Sequence, residues 1–334
     1  MTTADLERAR RLYDRVAMET AAIVIRRYST SFGLASRLLS APIRRHVDNI
    51  YALVRLADEV VDGVAASAEL GPDEIARLLD TLENETLQAM RVGYSTNFVV
   101  HAFALTARQV SFGPELVVPF YASMRADLTA TEHTPESFTE YVYGSAEVVG
   151  LMCLAAFLGG HTIPDDRRSA LVDGARHLGA AFQKINFLRD LAADFAGLGR
   201  SYFPGVNVET FGEEAKRGIL LDIDNDLRIA RASLPLLPST SRRAVALAQG
   251  LFGELTRRLW ETPAAVLAET RIRVPNPVKL RIAASASAGR LPREYSATAS
   301  ATATASAFAS ATRGTGPATS PPPSTTTATA EENR

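Results

Sequence analysis

Hydrophobic positions along most of this chain recur at helical spacing, which predicts one helix after another. Up to about Ala288 the sequence is rich in Ala, Leu and Arg, and alternating β-branched runs are scarce. Proline and glycine divide this region into segments of roughly 15 to 35 residues. The breaks fall at Pro42, Gly71-Pro72, Gly113-Pro114, Pro135, Pro164, Pro204-Gly205, Pro235 to Pro238, Pro263 and Pro275 to Pro277. No glycine-rich dinucleotide fingerprint follows a candidate strand, so the pattern predicts an all-α fold.

Two acidic clusters share the spacing Asp, three residues, Asp: Asp58 with Asp62, and Asp190 with Asp194. Residues four apart on a helix lie on one face, about 40° from each other. Like charges at that spacing destabilise an isolated helix by a few tenths of a kcal/mol. The two pairs therefore indicate a compensating positive charge and suggest divalent cations.

The first cluster belongs to a helix predicted to begin near Pro42, to run through Asp62 and to end at Gly63. On a helical wheel Tyr51, Arg55, Asp58 and Asp62 fall within about 60° of one another. Apolar residues cover most of the remaining circumference, which is typical of a buried helix and turns the polar stripe inward. A solvated face on which Arg55 offsets Asp58 as an i,i+3 pair is the alternative.

The second cluster lies on a helix predicted over 177–195. Gln183, Asn186, Asp190 and Asp194 fall within about 80° on its wheel, and the rest is largely apolar. Oxygen donors without His or Cys fit Mg²⁺ or Mn²⁺ better than zinc. Because Mg²⁺ favours phosphate oxygens as further ligands, sparse carboxylates indicate a phosphorylated substrate.

Arginines accompany both stripes. Arg55 lies on the first, Arg189 on the second, and Arg200 follows shortly with Tyr202 in the segment GRSYFPG. Guanidinium groups suit bidentate contacts with phosphate, so these arginines are candidate phosphate ligands.

Composition narrows the partners and the compartment. The 334-residue chain is 46% hydrophobic with a formal net charge of −1, which gives no electrostatic reason to expect nucleic acid. Cys153 is the only cysteine, which fits a reducing cytoplasm, and the N-terminus has no apolar signal region. The longest uncharged apolar run, 148–160, spans about 20 Å as a helix against about 30 Å of bilayer. We therefore expect a cytoplasmic protein in which that run is a core helix, with peripheral membrane contact left open.

The composition changes at Ser296. From there Ser, Thr, Ala and Pro dominate, and almost nothing could be buried. Such a segment does not offset its ordering entropy. We expect one catalytic domain over 1–295 and a disordered tail over 296–334.

Four motifs resemble the squalene/phytoene synthase family of head-to-head prenyl transferases, over roughly 31–281. They are SFGLAS (31–36), YALVRLADEVVD (51–62), EYVYGSAEVVG (140–150), and QKINFLRDLAADF with GRSYFP (183–204). Within that family the chain looks most like bacterial phytoene synthases. The resemblance implies an all-α isoprenoid-synthase fold in which the two acidic helices face each other across a central cavity.

The resemblance also implies roles for individual residues. Mg²⁺ ions bridging to prenyl diphosphates would be held by Asp58 and Asp62 on one wall and by Asn186, Asp190 and Asp194 on the other. Arg55, Arg189, Arg200 and Tyr202 match positions near the diphosphates, and Tyr51, Tyr141 and Gln183 match residues lining the reaction cavity. Phe32, Val149, Gly150 and Gly179 would shape the apolar part that receives the prenyl chains.

The reaction implied is the condensation of two geranylgeranyl diphosphates to phytoene through a cyclopropyl-carbinyl diphosphate. Released diphosphate or Tyr141 could accept the final proton. Three departures, Thr30, Glu147 and Phe252, affect the shape of the cavity and hence its chain-length preference. The alternatives are squalene or dehydrosqualene synthesis from farnesyl diphosphate, and a non-catalytic assembly or binding protein of the same fold. The sequence leaves the oligomeric state open.

Overall fold

The computed structural model describes residues 2–159, 161–198, 201–206 and 211–292, except for the side chains of Ala66 and residues 194–198. Helices make up the regular structure of this part of the chain, which contains one isolated bridge, between Glu132 and Ser201. The α-helices are α1 (Thr3–Tyr28), α2 (Ser31–Ser36), α3 (Ala41–Val61), α4 (Val64–Ser67), α5 (Pro72–Val92), α6 (Phe98–Val110), α7 (Pro114–Thr129), α8 (Pro135–Val142), α9 (Val148–Leu158), α10 (Asp165–Leu198), α11 (Glu213–Ser233), α12 (Ser239–Glu261), α13 (Ala264–Leu267) and α14 (Asn276–Ser287). The all-α prediction is confirmed.

Proline marks most of the helix starts, as the sequence predicted. Pro72, Pro114 and Pro135 are the first residues of α5, α7 and α8. Proline suits that position because its missing N–H would have no intrahelical partner there. The rule fails at Pro119, which lies inside α7 without ending it. It also misses the start of α6, where the side chain of Asn97 caps the helix.

The helix α8 continues into α9 through a π-helical turn, Tyr143–Glu147. This single helix, Pro135–Leu158, packs against α3, α7 and α10. Glycines permit the close packing. A Cβ on Gly150 would lie 2.5 Å from the carbonyl oxygen of Ala175, and a Cβ on Gly179 would lie 2.5 Å from that of Ala146. Both helices that carry the acidic clusters, α3 and α10, therefore pack against the α8–α9 helix.

The apolar core contains two large clusters, and each includes residues of the α8–α9 helix. One buried cluster joins α3, α5, α6, α7 and α9, with Phe103, Phe120 and Tyr121 among its largest side chains. A second joins α10, α11 and α12, with Tyr141 of α8 included. Burial of side chains this large is the main stabilising contribution to such a fold.

Residues 148–158 of the apolar run belong to a longer helix than the sequence predicted. At 24 residues, Pro135–Leu158 is long and apolar enough, by length and composition, to cross a membrane. Contacts with α3, α7 and α10 surround it, as expected for a core helix. Residues up to Glu294 form one compact unit. The predicted tail from Ser296 lies outside the described residues.

Candidate active site

The polar stripe of α3 begins beside the end of α1. Arg55 lies in the middle of the stripe: it is hydrogen-bonded to Glu59, 4.0 Å from the Asp58 carboxylate, and 4.6 Å above the ring of Tyr28. Its Nε is buried with no hydrogen-bond partner among the described atoms. A buried donor without an acceptor is costly, so an anionic ligand would relieve it.

The Asp58 carboxyl group next to Arg55 is partly desolvated. Its side chain is 38% exposed, and desolvation raises the pKa of the carboxyl group to about 7. Arg55 acts to lower that pKa, and the nearby charges of Asp62 and Glu59 raise it. Burial likewise raises the pKa of Tyr51. The i,i+3 contact between Arg55 and Asp58 that the solvated alternative predicted is present at 4.0 Å, and Asp62, the C-cap residue of α3, is exposed.

The stripe of α10 carries Gln183 and Asn186, both half-buried, and then Asp190. Two guanidinium groups hold the Asp190 carboxylate: Arg189 donates from Nε to Oδ1 at 2.9 Å, and Arg271 Nε lies 2.7 Å from the same oxygen. The side chain of Asp194, and Arg200 as a whole, lie outside the described residues.

Tyr141 connects the two walls. Its hydroxyl donates to Asp127 Oδ1 of α7 at 2.7 Å, and its ring stacks 5.6 Å from that of Tyr202. Burial raises the pKa of Tyr141 well above its usual value, and the nearby Asp127, Tyr202 and Asp62 raise it further. Because Asp62 ends α3 and Tyr202 follows α10, Tyr141 lies where the two predicted halves of the site meet.

An aromatic layer adjoins the α10 stripe. The Phe32 ring lies 5.6 Å from both Phe182 and Phe252, and the latter two stack at 3.9 Å. Phe252 therefore packs within the apolar layer. Of the other residues assigned to that layer, Val149 is half-buried, and Gly150 and Gly179 lie where helices meet.

The donors fit a hard divalent cation by their chemistry. Carboxylates on α3 and an amide and a carboxylate on α10 supply oxygen alone, as Mg²⁺ prefers. Within the described side chains, which omit that of Asp194, no three His, Cys, Asp or Glu residues converge into a metal-binding group. Asp190 could join such a set only by sharing or releasing the guanidinium groups that hold it.

Sequence reasoning missed three residues beside the site. Arg271 reaches Asp190 from the segment after α13, Asp127 holds Tyr141 from α7, and the His133 ring lies 4.8 Å from that of Tyr141. Arg271 and Asp127 are distant in sequence from the acidic stripes, and no periodic pattern relates them to those stripes. The only sign in the sequence that Arg271 could bind an anionic group was its residue type, with a second arginine at Arg273.

The fold and the polar stripes together define a helical enzyme with an oxygen-rich site beside an apolar layer. A sequence profile of the squalene/phytoene synthase family matches residues 25–278. The 15-cis-phytoene synthase of Enterobacter agglomerans is 30% identical over 78% of this chain and 91% of its own length. That of Pantoea ananas is 30% identical over 82% and 91%. The chain therefore belongs to the squalene/phytoene synthase family and is a prenyltransferase of the phytoene synthase type.

Solved structures agree on the fold. A dehydrosqualene synthase superimposes with a TM-score of 0.70 at 21% identity, covering 83% of this chain and 97% of its own. A squalene synthase from Alicyclobacillus acidocaldarius gives 0.62 at 21% identity, covering 75% and 95%. The predicted isoprenoid-synthase architecture is confirmed.

Proposed function

We propose that this protein condenses two molecules of geranylgeranyl diphosphate head to head, with Mg²⁺, to give phytoene through a cyclopropyl-carbinyl diphosphate. The observation that carries the proposal is the juxtaposition of cation-binding oxygens and guanidinium groups with an aromatic layer. The curated 15-cis-phytoene synthases matched over most of their length support the choice of reaction.

The polar end would bind the diphosphates. The unpartnered Nε of Arg55 offers a donor that a phosphate oxygen would satisfy. Arg189 and Arg271 lie side by side on Asp190, so an entering diphosphate would find two guanidinium groups together. Asp58, Asp62, Asn186, Asp190 and Asp194 would hold Mg²⁺, which when bound stabilises the charge of the departing diphosphate.

The apolar end would hold the prenyl chains. An allylic cation reacts with water unless water is excluded, and the Phe32, Phe182 and Phe252 rings provide a water-poor surface. The same surface would keep two chains in reactive register. The Tyr141 hydroxyl donates to Asp127, so it could accept a proton only after that hydrogen bond rearranges. Released diphosphate is then the simpler final base.

One observation favours a shorter substrate. Phe182 and Phe252 stack at 3.9 Å and fill part of the apolar layer. If they close one end of the cavity, farnesyl diphosphate would fit better, and the product would be squalene or dehydrosqualene.

Product analysis distinguishes these functions. The purified protein is incubated with Mg²⁺ and either diphosphate, and the hydrocarbon products are identified by chromatography. We expect phytoene from geranylgeranyl diphosphate and no product when the metal is chelated. A C30 product from farnesyl diphosphate, with geranylgeranyl diphosphate untouched, would contradict the proposal.

Two variants test whether Asp190, on the acidic stripe of α10, contributes to catalysis. Asp190→Ala should lower turnover at least about 100-fold, because it removes charge that organises cation and diphosphate binding. The matched control is Asp222→Ala on α11, an exposed carboxylate that pairs with Lys184 outside the site, and it should retain activity. Unimpaired turnover by Asp190→Ala would refute the metal role and favour a non-catalytic assembly or binding protein.

A further inference from the structure

The last residue of α1, Tyr28, continues the face of that helix that packs on its neighbours. Ala17, Ala21 and Ile25 on this face are almost completely buried, and position 28 falls within the same sector of about 80° on a helical wheel. The small side chains at 17 and 21 pack with Ala52 of α3, which brings the two helices close together. The pattern therefore directs Tyr28 towards the neighbouring helices at the point where α1 ends.

The ring of Tyr28 lies against the guanidinium group of Arg55 on α3. The Cζ atom of Arg55 is 4.6 Å from the centre of the ring, a distance at which the face of an aromatic ring attracts a cation. Tyr28 is 53% exposed, so burial of apolar surface explains only part of its placement. The cation next to it supplies a second reason.

The guanidinium group of Arg55 is restrained at its ends as well as on its face. Its Nη2 donates to the carboxylate of Glu59, and its Nη1 lies 4.0 Å from that of Asp58. Both carboxylates belong to the next turn of the same helix. The Arg55 side chain is nevertheless 34% exposed, so a ligand can reach a group whose orientation is already limited.

The restraint from Tyr28 differs in kind from the two carboxylates. A carboxylate accepts hydrogen bonds and offsets the charge of the arginine, whereas an aromatic ring is neutral and at most a weak acceptor. The Nε of Arg55 still has no partner among the described atoms. Tyr28 thus orders the cation while leaving its charge and its donors for an anion.

We infer that Tyr28 is a positioning residue, whose ring holds the Arg55 guanidinium in the orientation that receives a diphosphate group. The inference rests on the proposed function, which assigns Arg55 to a diphosphate. A free arginine side chain loses rotamer freedom when it binds a ligand, and a guanidinium that is already ordered has less to lose. The ring also keeps water from one face of the cation, which strengthens its attraction to phosphate oxygens.

Binding of inorganic diphosphate to the full chain tests the inference, measured by titration calorimetry with Mg²⁺ present. Tyr28→Leu removes the ring but keeps an apolar side chain, and it should weaken binding about three- to tenfold, as expected for loss of a partly exposed cation–π contact. Tyr28→Phe keeps the ring and should bind within about twofold of the unmodified protein.

A double-mutant cycle shows whether Tyr28 acts through Arg55. Arg55→Gln alone should weaken binding more than Tyr28→Leu, because it removes the charge itself. In the Arg55→Gln background, Tyr28→Leu should cause no further loss, since no cation is left for the ring to hold. A purely structural role for Tyr28 would give the same loss in both backgrounds.

Tyr94→Leu is the matched control. Tyr94 is also 53% exposed, and its ring packs against Tyr13 and His101. This variant should bind diphosphate as the unmodified protein does. Thermal unfolding of every variant establishes that it is folded under the conditions of the titration.

Three results would overturn the inference. Unimpaired binding by Tyr28→Leu, with weak binding by Arg55→Gln, would leave Arg55 as a ligand and remove the role of Tyr28. Equal losses from Tyr28→Leu in both backgrounds would show that Tyr28 acts on the fold. Unimpaired binding by Arg55→Gln would overturn the inference together with the assignment of Arg55. None of these measurements depends on the hydrocarbon product, so the choice of substrate is tested separately.

Discussion

At the scale of single residues, Tyr141 shows how the site depends on a contact distant in sequence. Its hydroxyl donates to the buried Asp127 on another helix, so the tyrosine is fixed by a carboxylate that no local pattern revealed. The motif around Tyr141 predicted a cavity residue but not what orients it.

Tyr141→Phe should lower the free energy of unfolding by about 1 to 3 kcal/mol, since a buried carboxylate loses a donor. The measurement is urea denaturation. Tyr121→Phe, which removes a hydroxyl paired with the neutral Thr86, is the control and should cost less. Equal costs would contradict the role of the charge on Asp127.

Asp48 on α3 is a buried carboxyl group on the same helix as the acidic stripe. Desolvation raises its pKa to about 6, against the lowering effect of Arg44 and Arg26, and its Oδ1 has no partner among the described atoms. The folded state therefore holds the proton more tightly than the unfolded chain, so stability falls as the pH rises from about 4 to 6 and stays lower above that range.

Asp48→Asn should thus raise the free energy of unfolding by about 1 to 2 kcal/mol at pH 8. The gain should shrink as the pH is lowered towards 4.5, because Asp48 is then protonated in the folded protein. Denaturation at both pH values measures it, with exposed Asp173→Asn as the control. A gain that is independent of pH would show that ionisation is not the cause.

At the scale of elements, the helix formed by α8, the π-helical turn and α9 contacts both α3 and α10, the helices that carry the acidic stripes. The positions of proline predicted most of the helix starts, because proline restricts its own backbone conformation. The π-helical turn left no such signal. Within the turn, a Cβ on Gly144 would clash with the carbonyl oxygen of Pro119 on α7, and such a contact becomes visible only in the packed structure.

Gly179→Ala should destabilise the protein by about 1 to 3 kcal/mol, because the new methyl group meets the Ala146 carbonyl oxygen at 2.5 Å. Gly218→Ala on α11 meets nothing within 4 Å and should stabilise by up to about 1 kcal/mol through helix propensity. Thermal unfolding of both variants makes the comparison. A neutral Gly179→Ala would mean that α10 can move away from the π-helical turn without cost.

At the scale of the whole molecule, the site lies between two apolar cores that share one helix. Both α3 and α10, which carry the two acidic stripes, pack against the α8–α9 helix. The motifs that resemble the family lie on these elements, so the family could be identified before the walls were located. Their separation and the residues between them required the fold.

Deletion of residues 296–334 should leave the melting temperature within about 2 °C and turnover within twofold, because the tail offers little to bury. Calorimetry and the product assay measure both. The control deletion, from residue 270 onward, removes Arg271 and α14 and should abolish activity. A large loss on removing the tail alone would show that it contributes to the catalytic domain.

The sequence by itself determined that the fold is helical, most of the helix starts, the acidic stripes and the family. These features are local: helical periodicity relates residues three or four apart, and a motif is read within a dozen positions. Only the tertiary structure decided that Arg271 holds Asp190 and that Asp127 holds Tyr141. Those contacts join residues up to 81 positions apart, and their energies depend on burial, which the order of residues along the chain does not specify.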